Sequence, residues 1–432
     1  MVVDDSKLAI VVGGGPAPGI NSVIGAATIR ACLSNVEVLG IQEGFSWLMR
    51  GDTQHVVPLT IGDTSRIHFR GGSCIGTSRA NPTRDPEHMR NVLEALQRLG
   101  VGMLVSIGGD DTAFSAYRLS QASGGQLRVV HVPKTIDNDL DLPHDVWTFG
   151  YQTARAVGVS IVHNLMVDAK TTGRWYFVVA MGRKAGHLAL GIGKAAGATM
   201  TLIPEEFGGR TVRLEAIVDT LAGAVLKRLA NGRTDGVVVL AEGLAEVVRP
   251  EDLADIDTVE RDEHGHVRLD EIDFGGLCKT RVRERLAPLG VRPTIVAKNI
   301  GYEVRSADPN PFDMEYTRDL GYCAAKYVIE GGSDALVSMQ QGRFKPVPFE
   351  AIMNPETGRM RVRMVDVASD RYRIAYAYML RLKRGDFDDP RELAKLAAAA
   401  GTTPERFRAE FGYLVERDAA PSLAASAAPP PP

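Results

Sequence analysis

The chain has 432 residues, 44% hydrophobic and 24% charged, with a net charge of -3 spread over both signs. That length suits two domains or one large α/β unit, and the charge balance argues against a nucleic-acid binder, so any anion site must be local. Four scattered cysteines without a C-x-x-C, an acidic start unlike a secretory leader, and no run near the ~20 apolar residues of a membrane span predict a cytoplasmic protein with free thiols and no membrane partner.

In chain order, Leu8–Val12 reads as a buried strand. It runs into Gly13-Gly14-Gly15-Pro16-Ala17-Pro18-Gly19-Ile20-Asn21 and a helix over Ser22–Leu33. A glycine-rich strand-to-helix turn can cradle phosphate on its backbone N–H groups. The two prolines interrupt the dinucleotide G-x-G-x-x-G spacing, and no G-x-x-x-x-G-K-[ST] P-loop is present. Val36–Ile41 predicts a second strand, followed by a loop through Gly44, Phe45 and Leu48. The stretch Arg70–Arg79 mixes glycines and hydroxyls and ends in Arg79. That arginine could neutralise charge on a transferring group or simply sit at the surface. Pro86–Leu99 predicts an amphipathic helix.

The centre of the chain is a β-α-β unit over 101–139. Strands Met103–Ile107 and Arg128–Val132 flank a helix, Ala113–Ser123. The first strand ends in Gly108-Gly109-Asp110-Asp111-Thr112, the second in Pro133-Lys134-Thr135-Ile136-Asp137-Asn138-Asp139. Ligands bind at that edge of an open α/β sheet. Glycines let the backbone approach an anion, but an aspartate beside them would repel phosphate. A divalent metal resolves the conflict, because Mg²⁺ is held by one or two carboxylates plus the substrate's phosphate oxygens. Asp137 and Asp139 are two residues apart, so in extended backbone they point to the same side. One could hold the metal and the other accept a hydroxyl proton, which is most of what phosphoryl transfer asks of a protein. Either turn alone is also readable as ordinary turn and cap chemistry; two in one unit favour a site.

Beyond it, Val146–Val167 predicts a long helix, Trp175–Ala180 a strand, and Met181-Gly182-Arg183-Lys184-Ala185-Gly186 the turn into another helix. Met200–Ile203 and Val237–Leu240 predict strands around a helix, Arg213–Asn231, the second strand ending in Glu242. Glu242 could bond sugar hydroxyls or cap. Charges cluster over Asp257–Asp273, and His264 and His266, lacking a third ligand, read as a solvated loop rather than a metal site. A basic helix is expected over Leu277–Leu289, a strand over Thr294–Ala297, helix Phe312–Ile329, strand Ala335–Gln340, a further short strand within 342–352, and helices Arg371–Leu382 and Glu392–Arg417. The Ala/Ser/Pro-rich tail, 418–432, should be disordered.

GGDDT and PKTIDND, with GGGPAPGIN, MGRKAG and Tyr302-Glu303-Val304-Arg305, resemble the phosphofructokinase family, and occur in the family's order over roughly residues 8–345. The resemblance implies two Rossmann-like parallel-sheet α/β lobes with the active site in the cleft between them. It implies a catalytic region over 1–345 with interleaved lobes, leaving 346–417 as a mainly helical extension. It places Gly14, Gly15 and Gly109 on the phosphoryl donor and Arg79 on the transferred phosphate. Asp110 and Asp139 go to Mg²⁺, and Asp137 becomes the base. Thr135, Ile136, Met181, Gly182, Arg183, Glu242, Tyr302, Glu303, Val304 and Arg305 go to the sugar phosphate. Arg174 matches an arginine that reaches a neighbouring subunit's sugar phosphate, which implies a homodimer or homotetramer. Two departures stand out. Bacterial ATP-using members carry a histidine where Tyr302 stands, and an arginine near Val296 that this chain lacks; Lys298 could substitute as a point charge.

The donor follows from two residues. ATP-using members carry glycine where Asp111 and Lys134 stand, whereas pyrophosphate-using members resemble this chain at both. A carboxylate at Asp111 would take the place of ATP's α-phosphate, and like charges at close range in a low-dielectric site cost several kcal/mol as an upper bound. Lys134 would add a cation beside the transferring phosphate. The expected activity is therefore Mg²⁺-dependent, reversible transfer from pyrophosphate to the 1-hydroxyl of fructose 6-phosphate, in glycolysis or gluconeogenesis. An ATP-dependent member is the alternative. GGD-type kinases of NAD or lipids lack the TIDND and MGR elements, and a non-catalytic sugar-phosphate sensor would not need Asp137.

Overall fold

A computed structural model describes residues 6–143, 146–253, 272–352, 354 and 360–416. His264, His266, most of the charged stretch around them and the Ala/Ser/Pro tail lie outside the described residues. The chain divides into two compact units. One comprises Met1–Val157 with Tyr302–Arg363, the other Gly158–Gly301 with Met364–Pro432.

The first unit is built on a sheet whose strands run in the order Val347–Pro348, Ala335–Leu336, Arg128–Thr135, Val101–Gly108, Lys7–Val12, Val38–Ile41, Val56–Leu59. The inner pairings are parallel, and both edge strands, Val56–Leu59 and Val347–Pro348, are antiparallel. Continuous apolar runs such as Leu8–Val12, fully buried, are what a parallel sheet covered on both faces requires. The register places Val12 beside Ile107 and Gly108 beside Pro133. The glycine turn, GGDD and the PKTIDND turn therefore emerge at one sheet edge. Helices Ile20–Cys32 and Pro311–Ile329 pack closely, because Gly321 has no Cβ to strike the backbone of Val23.

The second unit carries four parallel strands in the order Ile295–Ile300, Trp175–Ala180, Gly236–Ala241, Met200–Leu202. The C-terminal helices belong to this unit. They are tied down by ion pairs from Arg381 to Glu206, 2.6 Å, and from Lys227 to Asp386, 2.7 Å. Among the described residues no helix is long and apolar enough to cross a membrane.

The structure departs from the sequence expectation in several places. The expected helix over Val146–Val167 begins only at Tyr151. Phe149–Gly150 is instead a short strand beside Lys134–Thr135. Asp313, 160 residues away, accepts from the N–H groups of Gly150, 3.0 Å, and Thr153, 2.7 Å, and so fixes the helix start. The stretch expected as one helix over 392–417 is several helices among its described residues, because Gly401 takes φ 59° and Thr403-Pro404 starts a new one. Ala335–Gln340 is two short strands, and the strand expected to stop at Ala297 runs on to Ile300.

Candidate active site

In the first unit three loops interlock. Gly13 bonds Ile107 and Gly14 bonds Ser78 through backbone N–H groups, at 2.9 and 2.8 Å. Gly14 takes φ 80°, which glycine adopts without steric cost. Thr112 is buried in the notch left where Gly13 and Gly108 lack Cβ atoms. It therefore locks the GGG turn to the GGD turn by packing. Gly109 caps the helix Asp110–Ala122, and Asp110 and Asp111 occupy its first turn. Asp110 is half-buried and Asp111 exposed.

Lys134, only 5% exposed, donates its ammonium to the carbonyl of Gly15. The guanidinium of Arg305 lies beside the same glycine, 3.4 Å from where a Cβ would stand. Gly14, Gly15, Lys134 and Arg305 are thus brought together. Gly71 donates its N–H to Asp308, 2.8 Å, which seats the Arg70–Arg79 loop on the segment after Arg305. Arg79 is exposed. Tyr302, 76% exposed, lies under the Arg305 guanidinium at 5.5 Å from its ring. Glu303 is exposed and Val304 buried in the same short helix.

The strand Arg128–Thr135 stops before the aspartates. Thr135 Oγ1 accepts from the N–H of Asp137, 3.0 Å, and Asn138 takes φ 55°. The same-side placement expected of Asp137 and Asp139 therefore does not hold, because alternation requires extended backbone. Asp137 is 4% exposed, Ile136 is buried and Asp139 is half-buried.

In the second unit, the Met181–Gly186 loop is held by two glutamates. Glu242 Oε2 accepts from the N–H groups of Gly182 and Arg183, both at 3.1 Å. Arg183 sits at φ 49°, and Gly243 leaves room for its carbonyl. Glu205 Oε1 accepts from Gly186, 2.8 Å, and Val365, 2.9 Å. Burial raises the Glu205 pKa, and these two donors oppose the rise. Arg174 stands at the start of the strand that ends before Met181, about 20 Å away for six residues. It pairs with Asp168 at 3.7 Å, so one chain does not bring it to the Arg183 loop. Lys298 is exposed on the edge strand.

Among the described residues no three His, Cys, Asp or Glu side chains gather as a metal cage. Asp110 and Asp139 are each half-buried, and a hard cation can be held by as few as one or two carboxylates with substrate phosphate oxygens.

Residues 7–328 match the phosphofructokinase family. The chain belongs to that family. It is 52% identical over 415 residues to a pyrophosphate–fructose 6-phosphate 1-phosphotransferase of Thermotoga maritima, covering 95% of this chain and 99% of that one. It is 48% identical over 418 residues to one of Naegleria fowleri, covering 95% and 96%. Among solved structures, the T-state phosphofructokinase of Pichia pastoris superposes with a TM-score of 0.65 at 23% identity, a likeness of fold. The match covers 80% of this chain and 35% of that longer one.

Three supporting residues of this phosphofructokinase escaped the sequence reading. His131 Nε2 lies 3.0 Å from the Gly108 carbonyl and Nδ1 lies 2.8 Å from Ser106 Oγ. A carbonyl only accepts, so Nε2 carries the proton and Nδ1 accepts from Ser106. Burial pushes its pKa down to about 3, which keeps the ring neutral beneath the GGD turn. A histidine within the apolar run Arg128–Val132 was the available signal. Glu205 stood in a turn with no mark of its target. Arg363, which bonds Asn138, lies beyond the residues matched to the family.

Proposed function

We propose that this phosphofructokinase transfers a phosphoryl group from pyrophosphate to the 1-hydroxyl of fructose 6-phosphate, giving fructose 1,6-bisphosphate and phosphate. In reverse, the 1-phosphoryl group of fructose 1,6-bisphosphate passes back to phosphate to re-form pyrophosphate, so the reaction runs in either direction, in glycolysis or gluconeogenesis. The observation that carries the donor assignment is Lys134, a buried cation anchored at the Gly14–Gly15 turn. A fixed ammonium at a glycine turn, which a ligand can approach closely, stabilises a small, highly charged donor. Asp111, in the first turn of the helix Asp110–Ala122, is exposed, so it opposes the α-phosphate of a nucleotide with a repulsion that water weakens below the low-dielectric bound. The names of the two relatives given above support the same donor.

Gly14, Gly15, Gly109 and Arg79 hold the pyrophosphate. Asp137 takes the proton of the 1-hydroxyl as the phosphoryl group arrives; its burial keeps bulk water from competing. Thr135, Ile136, Met181, Gly182, Arg183, Tyr302, Glu303, Val304 and Arg305 orient the sugar phosphate. Glu242 contributes by shaping the Arg183 loop and through its second oxygen. Asp110 and Asp139 would hold Mg²⁺, which when bound neutralises charge on the donor oxygens. Arg174 is assigned to a neighbouring subunit's sugar phosphate in a homodimer or homotetramer, and the four cysteines, all free in the structure, suit the cytoplasm.

The test is formation of fructose 1,6-bisphosphate from fructose 6-phosphate and Mg²⁺, with pyrophosphate and ATP in parallel. Turnover with pyrophosphate alone is expected. Turnover with ATP alone would overturn the donor assignment and keep the family; no turnover with either would overturn the acceptor.

A further inference from the structure

We propose that Arg363 is a positioning residue for the proton-accepting Asp137, holding the Pro133–Asp139 turn in its working shape. The proposal rests on the reading of Asp137 as the base.

Arg363 makes four hydrogen bonds here, three of them to the turn and one to Val146 beyond it. Arg363 donates its backbone N–H to the Asp139 carbonyl, 2.7 Å, and Nε to the Asn138 carbonyl, 3.2 Å. Its Nη2 donates to Asn138 Oδ1, and Nη1 to the Val146 carbonyl, 2.9 Å. Asn138 is 2% exposed and holds φ 55°, a conformation unfavourable for a residue with a Cβ. Its side chain is further fixed by the N–H of Thr148, 3.2 Å. The segment carrying Arg363 is itself strapped down. Leu140 and Val362 form an antiparallel bridge, and Arg361 pairs with Asp141 at 2.9 Å. Met360 packs in one core with Leu140, Leu142 and Val146.

The chemistry of the group explains the choice. A guanidinium presents its N–H groups in a rigid planar fork, so it fixes the relative places of a carbonyl and an amide oxygen, which a lysine point charge does not. Asp137 immediately precedes Asn138, so a rotation of the Asn138 backbone displaces the carboxylate. A displacement of about 1 Å at a reacting group costs on the order of 100-fold in rate. The strap lies beyond residues 7–328, which match the family, so the support for the base comes from outside that match.

The experiment compares the wild-type chain with Arg363→Met, Arg363→Lys and Asp137→Asn. It measures kcat and KM for both substrates in the pyrophosphate reaction, the Tm, and the response of each variant to added guanidinium ion. For Arg363→Met, kcat should fall roughly 100-fold while both KM values stay within about threefold. Guanidinium should restore at least about a tenth of the lost rate, and Arg363→Lys should remain impaired. A kcat within about threefold of wild type in both Arg363 variants would overturn the proposal. So would a kcat loss unaffected by guanidinium and matched by a fall in Tm. If Arg363→Met does not fold, the kcat-against-KM split of Arg363→Lys decides, an unchanged kcat counting against the proposal. Failure of the underlying reading looks different: Asp137→Asn would then turn over like wild type, whatever Arg363 does.

Discussion

His131 offers a sharp test of how the GGD turn is supported. Its ring is fully buried, and its pKa is lowered from 6.5 to about 3, chiefly by desolvation, with Lys134 adding to the fall. For a histidine whose folded pKa is depressed, the unfolded chain takes up the proton first as pH falls. Above 6.5 both states are neutral and nothing is lost. Between 6.5 and about 3 the folded state loses about 1.4 kcal/mol per pH unit. From pH 8 to pH 4.5 this sums to about 2–3 kcal/mol from one side chain. His131→Gln should remove that slope while keeping a donor toward the Gly108 carbonyl. The assay is urea-dependent hydrogen exchange read on peptides covering 101–108 and 128–135, at both pH values. Carboxylates such as Glu205 and Asp313, raised by burial, titrate in both proteins and cancel in the comparison. Wild type should lose about 2–3 kcal/mol more than the variant on acidification. Equal losses would show that His131 is protonated in the fold or that the strand opens to water, and would refute the reasoning.

Other expectations follow from the same geometry. Asp137→Ser should lower kcat by about 10²–10⁴-fold with little change in sugar affinity, measured by steady-state kinetics and direct binding. Asp111→Gly combined with Lys134→Gly should raise the KM for pyrophosphate and lower kcat with it; unchanged pyrophosphate kinetics would undo the donor assignment. Gly108→Ala drives a methyl into Thr112 and should cost about 1–3 kcal/mol in urea unfolding of the first unit, together with activity. Glu242→Ala strips two N–H groups of the Arg183 loop of their acceptor. At about 1–3 kcal/mol, it should raise the KM for fructose 6-phosphate and spare that for pyrophosphate.

What the sequence determined by itself is local. Apolar runs such as Leu8–Val12 name the buried strands, and glycine, aspartate and lysine at their ends name the loops that carry chemistry, because both signals lie within ten residues. Lys134 and Gly15 were each legible as site residues on those grounds. Their contact was not, since 119 residues separate them. The same holds for His131 under Gly108, Glu205 under Gly186, Asp313 at the head of the helix from Tyr151, and Arg363 on Asn138. The edge strand Val56–Leu59 shows the limit in another form. It exists because Val38–Ile41 offers it a ladder, and nothing in its own four residues announces a partner. The left-handed Asn138 is the clearest case. Spacing put Asp137 and Asp139 on one side of an extended chain; a guanidinium 225 residues away holds that chain in another shape. Periodicity and turn chemistry report on neighbours in sequence, whereas a buried acceptor must be satisfied by whatever the packed fold brings to it.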